Sequence, residues 1–326
     1  MSKLKNEHIL AIILVGLVVV FSVINPAFFS IYNFMDVIRS SIITGVFSMG
    51  VMLVMLSGGI DISFPAIAAF SMYSTSKIVL AMDYQGNMVF PILLSCLIGL
   101  GLGLFNGFLI WRFNLPTLIV TIGTANLYQG ILLTFVGSRE LMQLPKCFTN
   151  FSKSFLVSAE SVSGISSIPM AVFAWIAVIV ICWYVLTHTT LGRGIYALGG
   201  NATSAERIGF NIMKIKLFVY GFAGAAAGLA GIMNSGLKRM SNPFDLLGIE
   251  MTILAAVVLG GVSISGGRGS VWGTIMGVLI LTIISTSLVL LGVSTYWQRA
   301  VIGLLLLAGT AITALRNKAV EKAVGS

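Results

Sequence analysis

Ten apolar runs, each close to the roughly 20 residues a helix needs to cross a bilayer, follow one another through the sequence and leave little else. They cover residues 9–25, 37–56, 63–82, 88–111, 117–136, 169–187, 217–236, 249–265, 271–291 and 298–315. Charged residues make up 9% of 326 positions, too few to clothe soluble domains, which average about a quarter charged. With lipid as solvent, only helices and closed barrels satisfy their own backbone groups, and these runs lack the alternation of barrel strands. The expected fold is all-α, a polytopic membrane bundle of about ten transmembrane helices forming one domain over residues 1–326.

An even number of spans puts both termini on one side. If that side is the cytoplasm, eleven Lys and Arg lie inside and seven outside, Lys77 falling within the third span. The preference of basic residues for cytoplasmic loops therefore places the N- and C-termini inside, and accounts for the net charge of +9 without nucleic acid. Lys3 and Lys5 precede the first run as in a signal peptide, but the exit Asn25-Pro26-Ala27-Phe28 offers no cleavage site, so this span is expected to be retained. Two connections are long: the serine-rich 138–168, extracytoplasmic, and the basic 188–216, cytoplasmic. Shorter loops elsewhere leave little room for a soluble domain, so any energy source or receptor must come from another chain.

Small residues at four-residue spacing mark close helix contacts in lipid, where packing rather than expulsion of water drives association. Gly99, Gly103 and Gly107 form one such stripe, and Gly269, Gly273 and Gly277 another. A third run, Gly224 to Gly231, repeats the device.

Catalytic chemistry is not visible. No Gly-Lys dipeptide exists for a phosphate loop, His8 and His188 stand apart from other ligands, and the three cysteines imply no disulfide framework. Neither a catalytic nor a metal or cofactor site is expected. Almost every acid sits at a span end; Asp61, in Ser57-Gly-Gly-Ile-Asp61-Ile-Ser63, reads either as an N-cap ahead of Pro65 or as part of a gate. Asn106, Asn126 and Gln129 are polar within spans; Asn126 and Gln129 share a helix face and either line a path or bond a neighbouring helix. Thr203-Ser204-Ala205-Glu206 has the capping-box form, and Gly209 suits a C-terminal cap, so a helix of about one and a half turns is expected there, flanked by Arg193, Arg207, Lys214 and Lys216. It reads as a docking knob for a soluble partner or as a surface turn drawn to anionic lipid.

Four ordered motifs resemble the permease subunits of bacterial ATP-binding-cassette importers of the ribose, galactose and xylose type. They are Gly58-Gly-Ile-Asp61-Ile-Ser63, Pro116-Thr-Leu-Ile-Val-Thr121-Ile-Gly-Thr, the stretch from Leu191 to Ile212, and Ala255 to Thr274 with its Ser265-Gly-Gly-Arg268-Gly core. Phe64-Pro65 departs from the family's usual Val-Gly. The resemblance implies a multi-pass permease of the bacterial inner membrane. Its implied partners are a cytoplasmic ATPase that binds ATP and magnesium, a periplasmic sugar-binding protein, and a second permease, identical or different. It assigns Asn201, Thr203, Ser204, Ala205, Glu206, Arg207 and Gly209 to contact with the ATPase. Related permeases carry nucleosides or branched-chain amino acids, and a stand-alone secondary carrier is the rival outside the family.

Overall fold

A computed structural model of the chain describes residues 6–161 and 164–294, with 297, 298, 300, 301, 303, 304 and 307 beyond them. The helices are α1 (Asn6–Ile24), α2 (Ile31–Leu56), α3 (Phe64–Ala81), α4 (Val89–Arg112), α5 (Thr117–Ile131), α6 (Lys146–Ser152), α7 (Val172–His188), α8 (Thr190–Gly200), α9 (Ala202–Arg207), α10 (Ile212–Lys238), α11 (Glu250–Leu259) and α12 (Val271–Leu290). A π-helical turn, Leu132–Val136, extends α5.

Seven of these helices are long and apolar enough to cross a membrane, or eight if α7 and α8 form one span broken by a 79° bend. The described chain is thus a polytopic helical membrane protein. The run at 249–265 contains only the ten residues of α11, about 15 Å of helix, before Gly260-Gly261 turns the chain. The run at 298–315 lies largely outside the described residues. Side-chain caps set several starts: Ser30, Thr189, Asn211 and Ser270 each accept a bond from an amide in the first turn.

Within 138–168 the chain makes α6 and then a β-hairpin, an element absent from the all-α expectation. Strand Phe155–Ser161 pairs antiparallel with Gly164–Pro169. Ser166 Oγ donates to Asp36 Oδ1 at 2.9 Å and holds the hairpin against the start of α2. The same end of the bundle is tied by the Lys238–Asp245 ion pair (2.6 Å) and by Arg239 Nε donating to Ser152 Oγ (2.6 Å).

α2, α3 and α10 are the most buried spans, and α1 lies at the periphery against α12. The closest packing joins α4 to α10. A Cβ on Gly99 would collide with the carbonyl oxygen of Gly224, one on Gly103 with that of Tyr220, and one on Gly228 with that of Ser95. The packing of α12 on α11 is similar: Gly273 meets the Gly260 carbonyl and Gly277 that of Ala256. Gly269 lies in the turn before α12 rather than on the helix.

Candidate functional site

Between α2 and α3 the chain is unwound from Ser57 to Ser63, with Gly59, Asp61 and Ser63 buried, Ser57, Ile60 and Ile62 half-buried and Gly58 exposed. Gly58, with φ +82°, turns it out of the helix, a conformation costly to residues with a side chain. Buried peptide groups outside a helix need other partners. Thr117 and Thr121, one turn apart on α5, provide them: Ile60 N–H donates to Thr117 Oγ1 (3.1 Å), Ile62 N–H to Thr121 Oγ1 (3.4 Å), and the Thr121 hydroxyl to Ile60 O (3.3 Å). The motifs at 58–63 and 116–124 are two sides of one structure.

Asp61 is buried here. Its Oδ1 accepts from Ser63 N–H (2.7 Å) and Ser63 Oγ (2.6 Å), closing a local Asx turn, while Ser63 at the start of α3 makes no side-chain cap. The N-cap reading of Asp61 holds in part: Asp61 accepts a backbone N–H, but that of Ser63, the residue at the N-cap position, and no side chain bonds an amide within the first turn of α3. Asn106 of α4 donates to Ser63 Oγ (2.8 Å), and the Tyr128 hydroxyl of α5 donates to Asn106 Oδ1 (2.8 Å) or Leu102 O (2.9 Å). The donors run Tyr128, Asn106, Ser63 and end on Asp61, clamping the unwound segment between two helices. Tyr128 had a faint signal in the sequence: Thr121, Thr124 and Tyr128 recur at helical spacing, and all three are buried.

The end of α8 reaches the same segment. A Cβ on Gly199 would collide with Leu56 O, and Gly267 N–H donates to that carbonyl at 3.0 Å. A Cβ on Gly266 would sit 2.7 Å from Gly58 Cα, and the Tyr196 hydroxyl donates to Gly269 O at 3.0 Å. Parts of the motifs at 58–63, 191–212 and 255–274 therefore meet backbone to backbone.

Beyond this junction stands α9. Its N-cap is Asn201, whose side chain accepts from Ser204 N–H at 2.9 Å, which corrects the capping box expected at Thr203 and Glu206. Asn201 is already extended (φ −159°, ψ 110°) where α8 ends, so the same residue closes one helix and starts the next. The helix stops in a Schellman motif: Gly209 (φ +90°) N–H donates to Glu206 O and Phe210 N–H to Ala205 O. Ala205 is buried, whereas Thr203, Ser204, Glu206, Arg207 and Ile208 project outward.

A cleft of about 250 Å³ opens where α9 meets the unwound segment, lined among others by Ser57, Gly59, Thr117, Asn201, Lys216 and Tyr220. A Cβ on Gly59 would lie 2.5 Å from the Tyr220 hydroxyl, which is buried beside Thr117. Tyr220 carries no signal in the sequence, because an aromatic residue in an apolar helix is indistinguishable there from core.

Asn126 and Gln129 stand apart from the network. Asn126 is exposed and bonds only its own helix, Nδ2 to Ile122 O at 2.9 Å, while Gln129 is half-buried. Thr121, earlier on the same helix, is buried against Ile60 and Ile62. Gly123 and Gly130 on α5 have open space beside them. Among the described residues no cluster of His, Cys, Asp and Glu could hold a metal.

The family described as "Branched-chain amino acid transport system / permease component" matches residues 33–309. The ribose import permease protein RbsC of Haemophilus influenzae is 32% identical over 288 residues, covering 88% of this chain and 86% of its own. That of Bacillus subtilis is 34% identical, covering 89% and 87%, and the D-allose transport system permease protein AlsC of Escherichia coli is 33% identical, covering 97% and 93%. No solved structure matches the chain. The motifs that converge on the junction thus sit in a chain that belongs to the permease components of ATP-binding-cassette importers, as a multi-pass membrane transport subunit.

Proposed function

We propose that this permease forms the path for a monosaccharide across the bacterial cytoplasmic membrane, driven by a separate ATPase subunit and supplied by a periplasmic binding protein. Its relatives named for ribose and allose match over nearly their whole length, which favours a sugar over the amino acids in the family's description.

The observation that carries the mechanism is the convergence beneath α9. The exposed Thr203, Ser204, Glu206, Arg207 and Ile208 give the ATPase, which holds ATP and magnesium, a handle; buried Ala205 anchors it. Force on α9 passes through the end of α8 to Leu56 and Gly58, and through Thr117 and Thr121 to α5. Closure of the ATPase pair then shifts α2, α3 and α5 between arrangements, and the sugar must bind them with different affinity for transport to result.

The pathway lies against a second permease copy, of the same or a different chain. An amide facing lipid at mid-membrane is costly, so Asn126 and Gln129, with the open Gly123 and Gly130, mark the face of α5 that the copy or the path covers. The face bearing α9 is cytoplasmic, both termini lie there, and the tenth span is 298–315. Replacing Glu206 and Arg207 together with Ala tests the coupling: uptake and transport-coupled ATP hydrolysis fail while membrane insertion persists. Normal uptake removes α9 from the mechanism.

A further inference from the structure

α1 lies at the edge of the bundle, and the family match begins after it. One carboxylate nevertheless carries it into the junction. α1 runs parallel to α12: Leu14, Val18 and Phe21 pack in one cluster with Leu279 and Ile283, and Glu7, one turn into the chain of α1, meets Ser270 at the start of α12. Ser270 Oγ donates to Glu7 Oε1 at 2.7 Å and accepts from Gly273 N–H at 3.0 Å. The hydroxyl that caps α12 is thus held by a charge-assisted bond, with the carboxylate beside the positive end of the helix, where an anion is favoured.

Ser270 also ends the turn in which the C-terminal motif reaches the junction. Within it Gly266, Gly267 and Gly269 all have positive φ, so the turn has few side chains to hold its shape and depends on what it touches. Gly267 N–H donates to Leu56 O where α2 ends, and Tyr196 of α8 donates to Gly269 O. Glu7 supplies a third attachment, one residue beyond Gly269 and from a different side of the turn.

We propose that Glu7 is a positioning residue for coupling: through Ser270 it fixes the glycine turn against the ends of α2 and α8. The proposal rests on the transport reading above, in which force from α9 crosses that junction. With the bond in place the turn moves as one body with α1 and α12. Without it the turn yields, and part of the motion is lost before it reaches α2.

The test reconstitutes the full-length chain with its ATPase and binding protein and measures sugar taken up per ATP hydrolysed, beside thermal unfolding of the chain. The probe is radiolabelled ribose or allose, whichever the wild-type system accumulates. Glu7→Ala lowers the ratio about fivefold while ATP hydrolysis stays within about twofold of wild type. Glu7→Gln, which keeps an acceptor for the Ser270 hydroxyl, retains most of it. Ser270→Gly removes the hydroxyl at a position where glycine is tolerated and lowers the ratio about as much, and adding Glu7→Ala to it has no further effect, because both act through one bond. Ser270→Gly carries the test alone if Glu7→Ala does not insert. A tie that only holds α1 in place would lower the melting temperature and leave the ratio intact; that result, or additive losses in the double variant, overturns the proposal. Normal uptake after replacement of Glu206 and Arg207 removes the transport reading itself, whereas a wild-type ratio in Glu7→Ala removes Glu7 alone.

Discussion

The acceptor that closes the donor chain decides what the buried loop tolerates. Asp61→Asn keeps an oxygen for Ser63, whereas Asp61→Leu strands the Ser63 amide and hydroxyl, at about 1–3 kcal/mol for each buried group left unmade. Thermal unfolding in detergent is expected to show near wild-type stability for the first and a clear loss for the second. On the far side of the bundle, burial in α6 shields Cys147 and pushes its thiol above the ordinary range, so a charged maleimide is expected to leave it unlabelled in the folded chain; rapid labelling would show α6 undocked. Asp61 and Asn106 stand out in the sequence as polar residues in apolar surroundings. Their link through Ser63 does not, because 43 positions separate Asn106 from Ser63 and only packing brings them together.

Helices give the same lesson with a different cause. Apolar run length identifies spans well, since lipid imposes it, but it measures content and not direction. The bend between α7 and α8 and the early stop of α11 are therefore invisible to it. The hairpin at 155–169 is too short and too rich in serine to announce itself, and the capping motif of α9 is legible but set two residues late, because Asn201 serves two helices. Asn201→Ala is expected to cost α9 about 1 kcal/mol and to lower coupled ATP hydrolysis without affecting insertion. The glycine stripes predict contacts, and their partners decide the penalty. Gly103→Val drives a side chain into the α10 backbone and is expected to abolish monodisperse protein on size exclusion. Gly101→Ala, with nothing within 4 Å, is expected to be neutral or to stabilise by about 0.5–1 kcal/mol.

At the scale of the molecule, a sequence without a nucleotide loop or a cluster of mid-membrane carboxylates presents the exposed α9, and the end of α8 that leads into it touches the chain where α2 ends. That contact is tightest at Gly199, so Gly199→Ala is expected to separate the two: ATP hydrolysis by the assembled transporter continues and uptake falls, whereas retained uptake would place the force elsewhere. On the proposed mechanism this polypeptide conducts but does not drive. The decisive measurement uses sealed proteoliposomes loaded with ATP, comparing the chain alone with the chain plus its ATPase and binding protein, with radiolabelled monosaccharide outside. Uphill accumulation is expected only in the complete, ATP-loaded set; accumulation against a gradient by the chain alone would show that it drives transport itself.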